Sequence, residues 1–433
     1  MASRSYIFIL LACFLALFIG TDARPSVHSK RHPGKNSKWI PTWGSMPQLT
    51  EPANLPPAPY NQTGVVFKDS TVRQTIRTTI GGSQIRLRFS NAFGPVDLPI
   101  TAVTVALSSN TTAGGENAIQ TKTLKSVTFS GSSSFVVPQG ALVVSDPIDF
   151  AVKPLTILTI TMYLADGQQG NSITSHPGSR TTSWFVQGNQ VTAASLSGPS
   201  LANAAHWYFL SNVEVAVSQN AKSFILIGDS ITDGRGSTTN LNNRWPDLLV
   251  PRLLSRPQTS QISVINQAAG GNRILNDGLG PNTLARLDRD VLAQGGVEYA
   301  MIFEGVNDIG TAATDATTQK TVGDRLISAF KQITTRLRTA DITVYAATIT
   351  PFSAPANYTG QPYSDPEREN TRQRVNKWIR ESGNFDEVVD FDALLRDAKI
   401  PSQLDARYNS GDYLHPNVVG YQRIADKFPL DIF

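Results

Sequence analysis

The chain has 433 residues, 40% of them hydrophobic and 17% charged, with a formal net charge of +4. The sequence pI is about 9.1, yet Lys and Arg are scattered and make no basic run, which excludes a nucleic-acid or membrane-surface patch readable from charge. The single cysteine, Cys13, lies in an N-terminal leader, so a chain without that leader has no disulfide or thiol chemistry and depends on its core alone, for which about 400 residues suffice.

Arg4, an apolar stretch from Ile7 to Gly20 and the small-residue site Thr21-Asp22-Ala23 read as a secretory signal peptide over residues 1–23. The apolar part is shorter than the roughly 20 residues of a membrane span, and the expected location is extracellular. Residues 24–38 form a polar tail, flexible or a short pro-segment, in which Lys30-Arg31 is either a dibasic processing site or an ordinary solvated pair. Asn61-Gln62-Thr63, Asn110-Thr111-Thr112 and Asn357-Tyr358-Thr359 make Asn61, Asn110 and Asn357 candidates for N-glycosylation.

From residue 39 to 221 the pattern has period two. Gln84-Ile85-Arg86-Leu87-Arg88-Phe89-Ser90 alternates polar and apolar side chains, as a half-buried strand does. Gly81-Gly82 reads as the turn of a hairpin joining it to Val72–Ile80. Val103, Val105 and Leu107 alternate in the same way, and so do Ile160, Met162 and Leu164. Many short strands with polar turns predict a β-sandwich or jelly-roll domain.

From residue 222 to 433 the rhythm changes. Short apolar runs (Phe224–Ile227, Ile262–Ile265, Tyr299–Phe303, Ile342–Ala346) alternate with amphipathic stretches such as the one placing Val322, Leu326, Phe330, Ile333 and Leu337 on one helical face. This alternation predicts a mainly parallel sheet covered by helices on both faces. Functional groups in such sheets gather at the carboxyl ends of the strands.

Four segments carry chemistry-bearing residues. Gly228-Asp229-Ser230-Ile231 follows the first apolar run; on its own it fits a helix-capping turn as well as a nucleophile. Gly270-Gly271 follows the second run, where paired glycines make a tight turn or aim an N–H at a ligand. Asn307 in Gly305-Val306-Asn307-Asp308 offers a neutral amide donor after the third. Asp412-Tyr413-Leu414-His415 places a carboxylate three residues before the only histidine beyond His206, a spacing at which it can orient the imidazole. Pro416 and Asn417 suit the first turn of a helix running to Phe428. A serine hydroxyl is a poor nucleophile without such a base.

In this order the four segments resemble the blocks of the GDSL/SGNH hydrolase superfamily over residues 222–433. The resemblance implies an SGNH-type, flavodoxin-like α/β/α fold, with Ser230 as nucleophile and His415 and Asp412 completing the triad. It further implies an oxyanion hole built from Gly271, Asn307 and the Ser230 backbone N–H. Ile231 replaces the leucine of the family's name, a conservative apolar change.

The expected function is secreted hydrolysis of carboxylic esters, with short acyl groups on glycans or small esters as substrates. A lipase, an acyltransferase and a non-catalytic carbohydrate-binding protein are the alternatives. No cofactor, metal, nucleic-acid partner or stable membrane insertion is expected; scarce His and absent Cys argue against catalytic zinc.

Overall fold

A computed structural model describes residues 37–433. The predicted signal peptide, Cys13, Lys30-Arg31 and all but the last two residues of the predicted tail lie outside the described residues.

The front part is β-rich and antiparallel. One sheet runs in the order Ser37–Gly44, Leu210–Ser218, Ile85–Ser90, Leu142–Val144. The other runs Ala202–Ala204, Ser183–Gln187, Ser70–Arg77, Ile157–Leu164, Ala102–Leu107, Lys125–Ser126. Side chains of both sheets meet in one core, with Ile40, Leu87, Phe89 and Val213 from the first and Val72, Val105, Ile160 and Phe185 from the second.

The predicted Gly81-Gly82 hairpin does not form. Ser70–Arg77 pairs with Ile157–Leu164 and Ser183–Gln187, whereas Ile85–Ser90 belongs to the other sheet. The glycines instead let the chain cross between sheets at close quarters: a Cβ on Gly81 would lie 2.5 Å from the Val152 carbonyl oxygen, and one on Gly82 2.6 Å from Val215. Burial reflects this placement, since Ser70–Arg77 is buried on both faces while Ile85–Ser90 begins with alternation.

The second part holds five parallel strands, β1 (Lys222–Gly228), β2 (Ile262–Ala268), β3 (Val297–Phe303), β4 (Thr343–Ala347) and β5 (Glu387–Val389). The sheet order is β2-β1-β3-β4-β5. The first four match the four apolar runs. β5 was not foreseen because three residues are too few to show a period. Helices α1 (Ser230–Asp233), α2 (Trp245–Leu254), α3 (Val306–Thr311), α4 (Ala316–Thr339) and α5 (Val418–Lys427) are the ones that matter for the site. α4 buries Leu326, Phe330, Ile333 and Leu337, with Val322 at the margin. α5 starts two residues later than expected: Asn417 is its cap, accepting from the Gly420 N–H at 3.0 Å, so neither Pro416 nor Asn417 lies inside the first turn.

Because β2 and β3 flank β1 on opposite sides, the chain reverses its direction of winding there. Such a switch point opens a crevice beyond the strand's carboxyl end. The two parts touch closely: a Cβ on Gly44 would lie 2.8 Å from Ile265, and Ser263 donates to the Pro41 carbonyl. Among the described residues no helix is long and apolar enough to cross a membrane.

Candidate active site

Ser230 sits where β1 ends and α1 begins, at the mouth of that crevice. Asp229 caps α1, its carboxylate accepting the Ile231 N–H at 2.9 Å. Gly234, at φ +101° in the left-handed region, ends α1 after one turn. A Cβ on Gly234 would also collide with the Arg244 side chain at 2.5 Å. The result is a tight, fully specified turn that leaves the Ser230 side chain half-buried at the cavity wall.

The structure brings Ser230, His415 and Asp412 together. Ser230 Oγ lies 2.7 Å from His415 Nε2, and His415 Nδ1 lies 2.6 Å from Asp412 Oδ2. The other Asp412 oxygen accepts the backbone N–H groups of His415 at 2.8 Å and Leu414 at 3.0 Å, and the Ser410 hydroxyl at 3.1 Å. Burial pushes the Asp412 carboxyl up, but the His415 ring and these backbone donors outweigh it and hold it well below the usual carboxylate range. Asp412 is thus an anion at any working pH. It can only accept, so His415 Nδ1 carries the proton and Nε2 is free to accept from Ser230. Tyr413 sits at φ +57°, a left-handed conformation costly for a non-glycine residue, and this bend folds the four-residue segment back on itself.

Gly270, Gly271 and Asn307 line the same cavity. The two glycines are not equivalent. The Gly270 N–H donates to Asp233 Oδ2 at 3.1 Å, whereas the Gly271 N–H makes no hydrogen bond to any described residue. Gly271 is at φ +72°, and a Cβ there would strike Leu279 at 2.5 Å. Asn307 Nδ2 lies 2.9 Å from the Asn272 carbonyl, which only accepts, so the nitrogen must face that way. Its Oδ1 accepts the Tyr363 hydroxyl at 2.9 Å. The second hydrogen on Nδ2 is left for a ligand. Tyr363 comes from a loop with no recognisable pattern and was not anticipated.

Nor was the ring of buried carboxylates behind the site. Asp308 holds the loop after β2, accepting from the Ile274 and Leu275 N–H groups at 2.9 Å each. Burial lifts its pKa to about 6. Glu304 is lifted to about 7, again chiefly by burial, with Arg286 and the Thr283 hydroxyl opposing. Burial also raises Asp229 well above the ordinary carboxyl value. An acidic residue at the end of an apolar strand, as in Phe303-Glu304, was the available signal.

A further contributor comes from the β-rich part. His176, at the end of the strand Thr174–His176, places Nε2 2.8 Å from Asp233 Oδ1 while Nδ1 meets the Met46 carbonyl at 2.9 Å. Asp233 therefore bridges His176 and the Gly270 N–H, and ties the loop after β2 to the front of the molecule. A Cβ on Gly178 would lie 1.7 Å from Asp233 Oδ2. His176 has no role legible in the sequence, since it lies in the β-rich half and no local motif links it to Asp233, 57 positions away.

Ser230, His415, Asp233, Gly270, Gly271 and Asn307 open onto a cavity of about 570 Å3. Its α/β wall includes Ser230, Arg235, Gly271, Leu279, Asn307 and Tyr363; its β-rich wall includes Gln48, Glu51, Asn54, Arg180 and His206. Among the described residues no group of three or more His, Cys, Asp or Glu is placed to hold a metal ion. Asn61 and Asn357 are exposed and Asn110 half-buried. Asn110 closes a turn through its Oδ1, which accepts the Thr112 and Ala113 N–H groups.

Residues 226–423 match the model of the GDSL-like Lipase/Acylhydrolase family. This part of the chain belongs to the GDSL hydrolases. It is a carboxylic ester hydrolase domain. Among solved structures, a protein of the G-D-S-L family from Desulfitobacterium hafniense is 24% identical, the match covering 47% of this chain and 96% of that one at a TM-score of 0.34. An acetylxylan esterase from Geobacillus stearothermophilus is 22% identical over 49% of this chain and 94% of that one, at 0.35. A GDSL-like lipase from Bacteroides thetaiotaomicron is 16% identical over 49% and 87%, also at 0.35. At such TM-scores none of these likenesses bears on substrate. No curated protein matches the chain.

Proposed function

We propose that the protein is a secreted serine esterase that removes short acyl groups from glycans or small esters through an acyl-enzyme on Ser230. The observation that carries this reading is the continuous relay from Asp412 through His415 to Ser230, opening directly into the cavity. Ser230 Oγ attacks the acyl carbon as His415 Nε2 takes its proton, and Asp412 stabilises the imidazolium that forms. The Gly271 N–H, the free Asn307 N–H and the Ser230 backbone N–H hold the oxyanion. Each such donor is worth roughly 3–4 kcal/mol in the transition state of a comparable hydrolase. His415 then protonates the departing alcohol. A water molecule, deprotonated by the same imidazole, attacks the acyl carbon, and collapse releases the acid and restores Ser230.

The preference for polar, short-chain esters is supported by the character of the cavity walls, where Gln48, Asn54, Glu51 and two arginines outnumber the apolar Pro177, Leu279 and Leu414. The signal peptide, the sequons and a jelly-roll reading of the two front sheets belong to the same proposal. A secreted, glycosylated esterase would meet its substrate outside the cell.

Labelling by a fluorophosphonate, abolished in Ser230→Ala, tests the nucleophile; a folded wild type that stays unlabelled sinks the esterase reading. p-Nitrophenyl esters of increasing acyl length test the rest, and rates that climb with chain length would replace the short-acyl preference with a lipase.

A further inference from the structure

Two guanidinium groups in the cavity have nothing to hold among the described residues. Arg180 reaches it from the β-rich part and Arg235 from the turn just after Ser230. Neither side chain donates a hydrogen bond to, or lies in an ion pair with, any described residue. Arg180 Nε is fully buried and still has no partner. Buried polar groups in native proteins are almost always satisfied, so an orphan calls for an explanation.

The backbone under Arg180 is also unusual. It sits at φ +49° in the left-handed region, which costs a non-glycine residue on the order of 1 kcal/mol or more. Asn240 holds it there: the Asn240 N–H donates to the Arg180 carbonyl at 2.8 Å, and its Oδ1 accepts the Thr182 N–H at 2.8 Å. Burial pulls the Arg180 pKa down, and the charges of Arg244 and Arg235 add to the fall while Asp233 opposes it. Two like charges have thus been brought to one cavity, one of them on a strained backbone.

The carboxylates nearby are committed elsewhere. Glu51 accepts from Gln48 Nε2 and Asn54 Nδ2 at 2.9 Å each. Asp233 is taken by His176 and the Gly270 N–H. His206 has its Nδ1 2.7 Å from the Pro177 carbonyl, and burial is the chief cause that pulls its pKa below the ordinary imidazole value.

We propose that the alcohol portion of the ester carries an anionic oxygen group, such as a sugar carboxylate, which Arg180 and Arg235 bind while Ser230 attacks the acyl carbon. This rests on the esterase reading above and names its substrate class: O-acylated acidic saccharides. A planar guanidinium offers paired N–H donors to two oxygens of one carboxylate or phosphate. Between opposite walls of the cavity, the two arginines would orient the alcohol so that its acyl group points towards Gly271 and Asn307.

The test compares kcat/KM of the full-length enzyme on an O-acetylated methyl galacturonoside, its neutral methyl ester and an O-acetylated glycoside phosphate, beside p-nitrophenyl acetate. The wild type should favour the charged substrates over the neutral one by about tenfold or more, with the advantage shrinking as salt rises. The carboxylate and phosphate arms show which source the site prefers. The ratio should collapse towards one in Arg180→Gln and fall in Arg235→Gln, whose exposed position makes it safe for folding should the first variant fail to fold. Equal rates on charged and neutral saccharides, with p-nitrophenyl acetate cleaved, overturn this proposal alone. No turnover of any of the four overturns the esterase reading and this proposal with it.

Discussion

The α/β part and the β-rich part approach the same cavity from opposite sides, but they contribute different things. Every group with a proposed role in bond making lies in the α/β part, at strand ends or in the segment just before α5. The β-rich part supplies a wall with charged and amide side chains, and one buried brace, His176 on Asp233. Chemistry that needs sub-ångström placement sits on elements whose backbone hydrogen bonds are locked, whereas the wall selects and supports. The comparison also explains why a fold shared by many hydrolases need not share a substrate.

The comparison can be broken by substitution. Asp412→Asn should keep the fold, by circular dichroism and melting temperature, but lower kcat on p-nitrophenyl acetate by about 10^3-fold or more, because Asn can present the wrong partner to Nδ1 and carries no charge. Unchanged turnover would move the orienting role out of the α/β part.

His176→Ala probes the other side. Removing the imidazole leaves the buried Asp233 oxygen without its partner, costing about 1–3 kcal/mol of stability. It also frees the Gly270-Gly271 loop, so kcat should fall by roughly tenfold with KM little changed, and His176→Gln should recover part of the loss. A variant destabilised but unimpaired in kcat would reduce the β-rich part to a wall.

Tyr363→Phe should have a smaller effect, a fall in kcat of about threefold to tenfold, since Asn307 keeps its bond to Asn272 and loses only the one from the phenol. The same variant should leave fluorophosphonate labelling intact, though slower.

The smallest effect expected is one of pH on stability. Glu304 has its folded pKa raised from 4.5 to about 7 by burial. Between those values the unfolded chain has released the proton that the native state keeps, so stability falls as pH rises through that window. Glu304→Gln lacks this titration. The difference in urea midpoint, variant minus wild type, should therefore increase from pH 5 to pH 8, and a constant difference would mean that Arg286 fully offsets the buried charge.

Ser230, Asp412 and His415 were legible because each falls in a short motif: a serine just past an apolar strand, and a carboxylate three residues before a scarce histidine. Asn307 and the glycine pair 270–271 were legible for the same reason, as strand-end residues. The pair Gly270-Gly271 could not be resolved by pattern, since only the Asp233 contact distinguishes their N–H groups. The Gly81-Gly82 hairpin failed because two glycines between alternating runs serve a hairpin and a sheet crossing equally well, and only the partners of Ser70–Arg77 decide.

The sequence by itself determined what repeats or acts over a few residues: the period-two front, the strand–helix alternation behind it, and the reactive side chains at strand ends. Hydrophobic period and local spacing carry that information along the chain. Tertiary structure alone decided what depends on residues far apart meeting: the order of the strands, the brace from His176, the phenol on Asn307, and the two guanidiniums facing one cavity. No local pattern records those contacts, because each is made only when two separately folded surfaces close on each other.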